Sequence, residues 1–330
     1  MILKSCHGNM TIMQDDPRTG PDEDGIWTFM EAGSQFYPAN TAQLTIGEHR
    51  RCYNNLCAHF HAGRPAGMQV TDMTCPGPAG DIALRRYVPE SRKGGSAVYM
   101  HGGGFILGGL DSHDDICCGI ARDAGVTVVA VEYRLAPEHV FPAAYDDCLA
   151  AVKWVFDNSG LLDIDPGRTV LAGDSAGGNL AAAVCLARRD LGQKMPAGQV
   201  LIYPALGGDK AKGSYVSRRH APGLTTADME YYEQMYLGAG VKQNRSSKFY
   251  APLRESNFSS LPRAFLVACE WDPLRDDCFD YARCLQSAGV AAQVRHEPEL
   301  VHACLRARHI SPAAKAMFQA ITCAISDMSK

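Results

Sequence analysis

The sequence has no run of about 18 apolar residues, so it offers no membrane-spanning helix. It also has no strong excess of charge. Its 32 basic and 36 acidic side chains leave a formal net charge of -4. So weak a field points neither to nucleic acid nor to a membrane surface. Met1 to Gly20 carries one lysine and no apolar core, so no secretory leader is expected and a cytoplasmic location follows. The 13 cysteines are odd in number and scattered, and none forms a Cys-x-x-Cys pair; the closest are the adjacent Cys117 and Cys118. That argues against a disulfide framework and against a zinc cage. Buried, reduced thiols acting as small hydrophobes are the expectation, with no metal and no other cofactor. There are no repeats and no low-complexity segments. A homodimer is left open.

What is present is 330 residues, 46% of them apolar. That is enough for one large catalytic domain with an embellishment. Ile82 to Val88, Ser96 to Met100 and Val126 to Glu132 read as strands, the last an apolar run of the kind covered on both faces. Ala143 to Asn158 then shows helical spacing, stopped by Gly160. Thr169 to Ala172 is strand-like, Ser175 to Arg189 alanine-rich and helical. Gln199 to Tyr203 and Ala264 to Ala268 read as strands, and Phe279 to Ala288 as a helix ended by Gly289. Such alternation predicts an α/β fold with a mostly parallel sheet flanked by helices.

Two stretches break the pattern. Residues 1–60 carry no clear strand. Residues 205–250 hold a loop with glycine and lysine, then a helix capped by Thr225 or Thr226 and stopped at Gly238. We read 61–204 and 251–330 as the core. The two odd stretches are cap segments over the C-terminal edge of the sheet, where such sheets bind ligands.

Gly173-Asp174-Ser175-Ala176-Gly177 fits Gly-x-Ser-x-Gly. The pattern is weak alone, because a serine N-cap in a tight glycine turn would look the same. Its setting, between a strand and an alanine-rich helix, is the strand–turn–helix of a nucleophile elbow. Ser175 at a helix start also has the positive end of the helix dipole beside it. His101-Gly102-Gly103-Gly104 follows another strand. Glycines there let the backbone approach a ligand and aim its N–H groups at it. A phosphate loop would end in Gly-Lys-Ser/Thr, which is missing. Gly103, Gly104 and Ala176 are therefore the expected oxyanion-hole donors.

These two motifs, with Tyr133-Arg134-Leu135-Ala136-Pro137-Glu138-His139 and Asp272-Pro273-Leu274-Arg275-Asp276 in the same order, resemble the hormone-sensitive-lipase-like (bacterial family IV) esterases. The resemblance runs from about Ser96 to the C-terminus. It implies an α/β-hydrolase core, a helical cap, no cofactor, and short-to-medium acyl esters as substrates.

In that fold the triad runs serine, acid, histidine. Asp272 lies just past a strand end and heads the family-like run. Glu270 is its main rival; Asp276, Asp277 and Asp280 also follow Ser175, the first two placed to favour the first turn of the next helix. Of the later histidines, His220 precedes the acid, His296 sits in a strand-like run, and His309 falls near a later helix. His302 follows that run through a short loop, Glu297 to Val301, where the family places its base. The catalytic set is thus Ser175, Asp272 and His302, acting through an acyl-enzyme. The sequence departs from the family at Trp271, bulkier than usual, and at Ala303-Cys304, where Gly-Phe or Ala-Phe is common. Phe36, Tyr231, Tyr232 and Tyr236 are candidates either for the pocket or for ordinary packing. The rivals are an amidase or deacetylase with the same triad, and a non-catalytic ligand receptor. The receptor is disfavoured because the resembling plant hormone receptors have lost the histidine kept here.

Overall fold

The apolar runs read from the sequence lie side by side at the centre of the molecule. The structure is a computed structural model that describes residues 20–330 apart from 22 and 40. Eight strands form one sheet among the described residues: β1 (Gln69–Gly77), β2 (Gly80–Val88), β3 (Ser96–Met100), β4 (Thr127–Val131), β5 (Thr169–Asp174), β6 (Gly198–Ile202), β7 (Ala264–Trp271) and β8 (Ala292–Val301). Their spatial order is β1-β2-β4-β3-β5-β6-β7-β8. β1 and β2 are antiparallel to each other, and β2 to β4; every other pair is parallel. Every residue of β3, β4, β5 and β6 is buried, as strands covered on both faces must be.

The helices are α1 (Asp24–Ser34), α2 (Ile46–His59), α3 (Asp114–Ala124), α4 (Ala143–Asp157), α5 (Ser159–Leu162), α6 (Ala176–Asp190), α7 (Ser214–Ser217), α8 (Thr226–Leu237), α9 (Val241–Asn244), α10 (Arg275–Ser287) and α11 (Pro312–Met328). α6 packs on β3, β5 and β6 and against α4; α3 packs on α11; α10 packs on β7 and β8. Crossover helices thus cover the parallel strands.

Several boundaries differ from expectation. α10 starts at Arg275, four residues before Phe279, directly after the turn that holds Asp272. β7 runs on to Trp271 through a register irregularity between Cys269 and Trp271. β8 runs on to Val301, so the expected loop 297–301 is strand and His302 follows it directly. α3 carries no clear sequence signal.

Among the described residues, the two segments outside the alternation carry helices. In the first, α2 opens with a capping box between Thr45 and Glu48. Arg50 then ties α2 to the loops after β3 and β4: its guanidinium donates to the carbonyls of Ile106 and Ala136, each at 2.9 Å, and pairs with Glu138. In the second, α8 starts with the same device, Thr225 and Asp228, and ends at Gly238, as the sequence predicted. Among the described residues no helix is long and apolar enough to cross a membrane.

Candidate active site

β5 ends at Asp174 and α6 begins at Ala176, leaving Ser175 alone in the turn with φ 53° and ψ -117°. That backbone is strained for a residue with a side chain. The glycines on either side permit it. A Cβ on Gly177 would lie 1.9 Å from the Met100 carbonyl oxygen, and one on Gly173 would lie 2.4 Å from the Gly177 backbone. The turn therefore presses directly on β3, and no side chain fits at either place.

The structure brings Ser175, Asp272 and His302 together from three separate segments. Ser175 Oγ is 2.8 Å from His302 Nε2, and His302 Nδ1 is 2.7 Å from Asp272 Oδ2. The other carboxylate oxygen of Asp272 accepts the Leu274 N–H at 2.8 Å, which fixes the acid's rotation. Asp272 is fully buried and His302 nearly so. This is the nucleophile–base–acid chain that acyl transfer to a serine requires. Ala303, after His302, adopts φ 61°, a left-handed backbone in which glycine is at ease. The Tyr203 ring lies 4.8 Å from the imidazole of His302 and backs it.

The other acids and histidines are occupied elsewhere. Glu270 pairs with Arg218, with Arg275 at 2.6 Å and with His296 at 2.8 Å. The same Arg218 guanidinium stacks 4.3 Å over Trp271, which accounts for the bulk at that position. His309 faces Asp115 at 3.3 Å, and His220 meets Arg219 in an exposed pair. Asp280 pairs with Arg283 at the surface. Asp276 and Asp277 sit in the first turn of α10, as expected, but their carboxylates are turned onto the segment after β6.

Gly103, Gly104 and Ala176 all line the pocket at Ser175. Gly103 and Gly104 have φ of 124° and 61°, open to glycine. Ala176 is the first residue of α6, where an amide has no partner within the helix. Asp174, which sequence reasoning passed over, ties this loop to the elbow. Its Oδ1 accepts the Gly102 N–H at 2.9 Å and the Tyr99 hydroxyl at 2.8 Å. Burial works to raise its pKa, but nearby His113 and Arg306 hold it well below the usual carboxylate range. Burial pushes His101 down to about 3, so its imidazole is neutral, stacked 4.1 Å from the Tyr133 ring.

The pocket encloses roughly 830 Å³ including its open mouth. Tyr53 of α2, Tyr215 of α7, and Met229, Tyr232 and Glu233 of α8 contribute to its wall, so residues from both segments outside the alternation line the same pocket as Ser175. Of the aromatic candidates, Tyr232 lines it. Tyr236 instead stacks on Phe105 at 3.8 Å, Tyr231 lies against Tyr232, and Phe36 lies against His59. No local sequence signal marks Tyr53, Tyr215 or Glu233, because the fold alone brings them to the serine. Among the described residues no group of three or more His, Cys, Asp and Glu side chains could hold a metal ion.

An eight-stranded, mostly parallel sheet with a serine elbow after β5, joined by hydrogen bonds to His302 after β8 and through it to Asp272 after β7, defines a class, and the comparisons with known proteins agree. Residues 97–306 match a family described as having the alpha/beta hydrolase fold, and the chain belongs to it. The relatives are the esterases that the resemblance implied. Esterase LipI of Mycobacterium tuberculosis is 38% identical over 251 residues, 75% of this chain and 78% of its own length. Ethyl acetate hydrolase of Pseudomonas putida is 39% identical, covering 68% of this chain and 72% of its own. Among solved structures, a hyperthermophilic esterase from the archaeon Pyrobaculum calidifontis superposes with a TM-score of 0.86 at 33% identity, over 94% of this chain and 99% of that one.

Proposed function

We propose that this chain is a serine carboxylesterase that works through an acyl-enzyme. The observation that carries the reading is the unbroken hydrogen-bonded chain from Ser175 through His302 to Asp272, opening into a pocket. His302 takes the proton of Ser175 as the serine oxygen attacks the ester carbonyl. Asp272 holds the imidazole in the tautomer that accepts at Nε2 and stabilises the imidazolium. The negative charge on the carbonyl oxygen meets the N–H groups of Gly103, Gly104 and Ala176. Each such donor contributes on the order of 3 kcal/mol of barrier lowering. His302 then protonates the leaving alcohol, and a water molecule, activated by the same imidazole, releases the acid.

The substrates are short-to-medium acyl esters, with chains of about two to eight carbons. The support is a bounded pocket walled by two cap segments, together with the esterase names of the relatives. The enzyme is cytoplasmic on this reading, in keeping with the free cysteines found among the described residues. Replacing Ser175 by alanine tests the assignment. Turnover of p-nitrophenyl butyrate should fall by roughly 10⁴-fold or more, because serine and histidine act as a unit. A folded Ser175→Ala protein that keeps a tenth of the parent activity overturns it.

A further inference from the structure

The loop 206–214 leads from β6 into the second cap segment, and Gly207 and Lys210 on it line the pocket. Both of its ends are gripped by the start of α10, the helix that follows Asp272. At the near end, Asp277 Oδ2 accepts the N–H of Leu206 at 2.7 Å and that of Gly208 at 3.4 Å. At the far end, Asp276 accepts the N–H of Ser214 at 2.8 Å, while the Ser214 hydroxyl donates to the Pro273 carbonyl at 2.7 Å. The next residue, Tyr215, donates its hydroxyl to Asp277, 3.0 Å from each carboxylate oxygen, and also lines the pocket. The loop backbone lies against these carboxylates. A Cβ on Gly208 would come 2.2 Å from Asp277 Oδ1, and one on Gly213 would come 2.4 Å from Asp276 Oδ2.

An acid in the first turn of a helix gains its favourable dipole contact at the surface, without burial. Asp277 is buried all the same, and among the described residues no basic side chain pairs with it. A carboxylate placed this way is costly unless its hydrogen bonds are met. Here they are met by the backbone and tyrosine of the pocket wall.

We propose that Asp277 is a specificity-determining positioning residue: it holds Tyr215 and the 206–208 turn against the segment that carries Asp272, and so sets one wall of the ester pocket. The inference rests on the carboxylesterase reading above. It places the effect in how long or bulky substrates bind, since a small ester does not reach a wall that a larger one needs.

The test compares the full-length parent with Asp277→Ala, Asp277→Asn and Tyr215→Phe over two series of esters. One varies acyl length, acetate to hexanoate, on p-nitrophenol. The other varies the alcohol, methyl to butyl, on acetate. In Asp277→Ala the large-to-small ratio of kcat/KM should fall at least about fivefold in one series, the scale of discrimination that a pocket contact supplies, with the loss in KM rather than kcat. Asp277→Asn should restore the ratio, because one amide oxygen can accept from Leu206 and Gly208 while the NH₂ donates to the Tyr215 oxygen. Tyr215→Phe should move the ratio in the direction of Asp277→Ala, and it decides the matter alone if Asp277→Ala does not fold. Ratios unchanged in both series, or an equal loss on every ester, overturn the proposal while the parent remains an esterase. A parent inactive on every ester overturns the carboxylesterase reading and this inference with it.

Discussion

Ser175 holds its strained backbone because Gly173 and Gly177 let β3 come into contact with the turn. Its neighbours in space divide sharply into those joined to it and those engaged elsewhere. His302 bridges serine and acid, whereas His296 is spent on Glu270 at the sheet edge. His302→Ala should therefore lose as much activity as Ser175→Ala, since the two act on one proton. His296→Ala should keep most of it. Initial rates on p-nitrophenyl butyrate decide this, and a dead His296→Ala beside an active His302→Ala would mean the base is misplaced. Ser175 and Asp272, which the structure joins to His302, were legible in the sequence because each sits in a local motif at a strand end, whereas His302 was legible by its order after Asp272. Asp174 was not. It reads as the variable position of the elbow, and its partners Tyr99 and Gly102 lie more than seventy residues away.

At the scale of elements, the central strands announced themselves because burial on both faces leaves no room for polar residues. α3 did not, because its first turn contains Asp114 and Asp115, which read as surface. Both are buried, and partners distant in sequence make that tolerable: Arg64 at 2.8 Å and the Tyr87 hydroxyl at 3.1 Å for Asp114, Arg308 for Asp115. Apart from Tyr232, the helical part of the pocket wall was illegible for the same reason, being assembled from α2, α7 and α8. The link from loop 206–214 to α10 also carries a pH dependence. Burial first, and the nearby charge of Asp272, push Asp277 up to about 7 despite its hydrogen bonds from Leu206, Gly208 and Tyr215. Tyr215, Tyr250, Asp272 and Cys278 are the titratable groups that bear on it. The folded state thus holds this proton more tightly than the unfolded chain, where the value is near 3.8. The resulting stability is fully present below pH 3.8 and is lost as the pH rises through about 7. The full swing is on the order of 4 kcal/mol. Urea melts at several pH values should show the parent losing stability relative to Asp277→Asn across this range. A difference that stays constant with pH would contradict the assignment.

The described residues form a mostly parallel α/β sheet whose strands bring Ser175, Asp272 and His302 together at one edge, with α2, α7 and α8 lining the pocket beside them. Alone, the fold does not define the chemistry. The proposed chemistry rests on Ser175 being an activated nucleophile, and a fluorophosphonate probes that directly, because it reacts with a serine only where base and oxyanion donors are in place. One adduct per chain is expected, located by peptide mass spectrometry on Ser175, with esterase activity falling in step with labelling and no adduct in His302→Ala. Full activity towards p-nitrophenyl butyrate in protein that carries no adduct on Ser175 after prolonged exposure to the probe would contradict it.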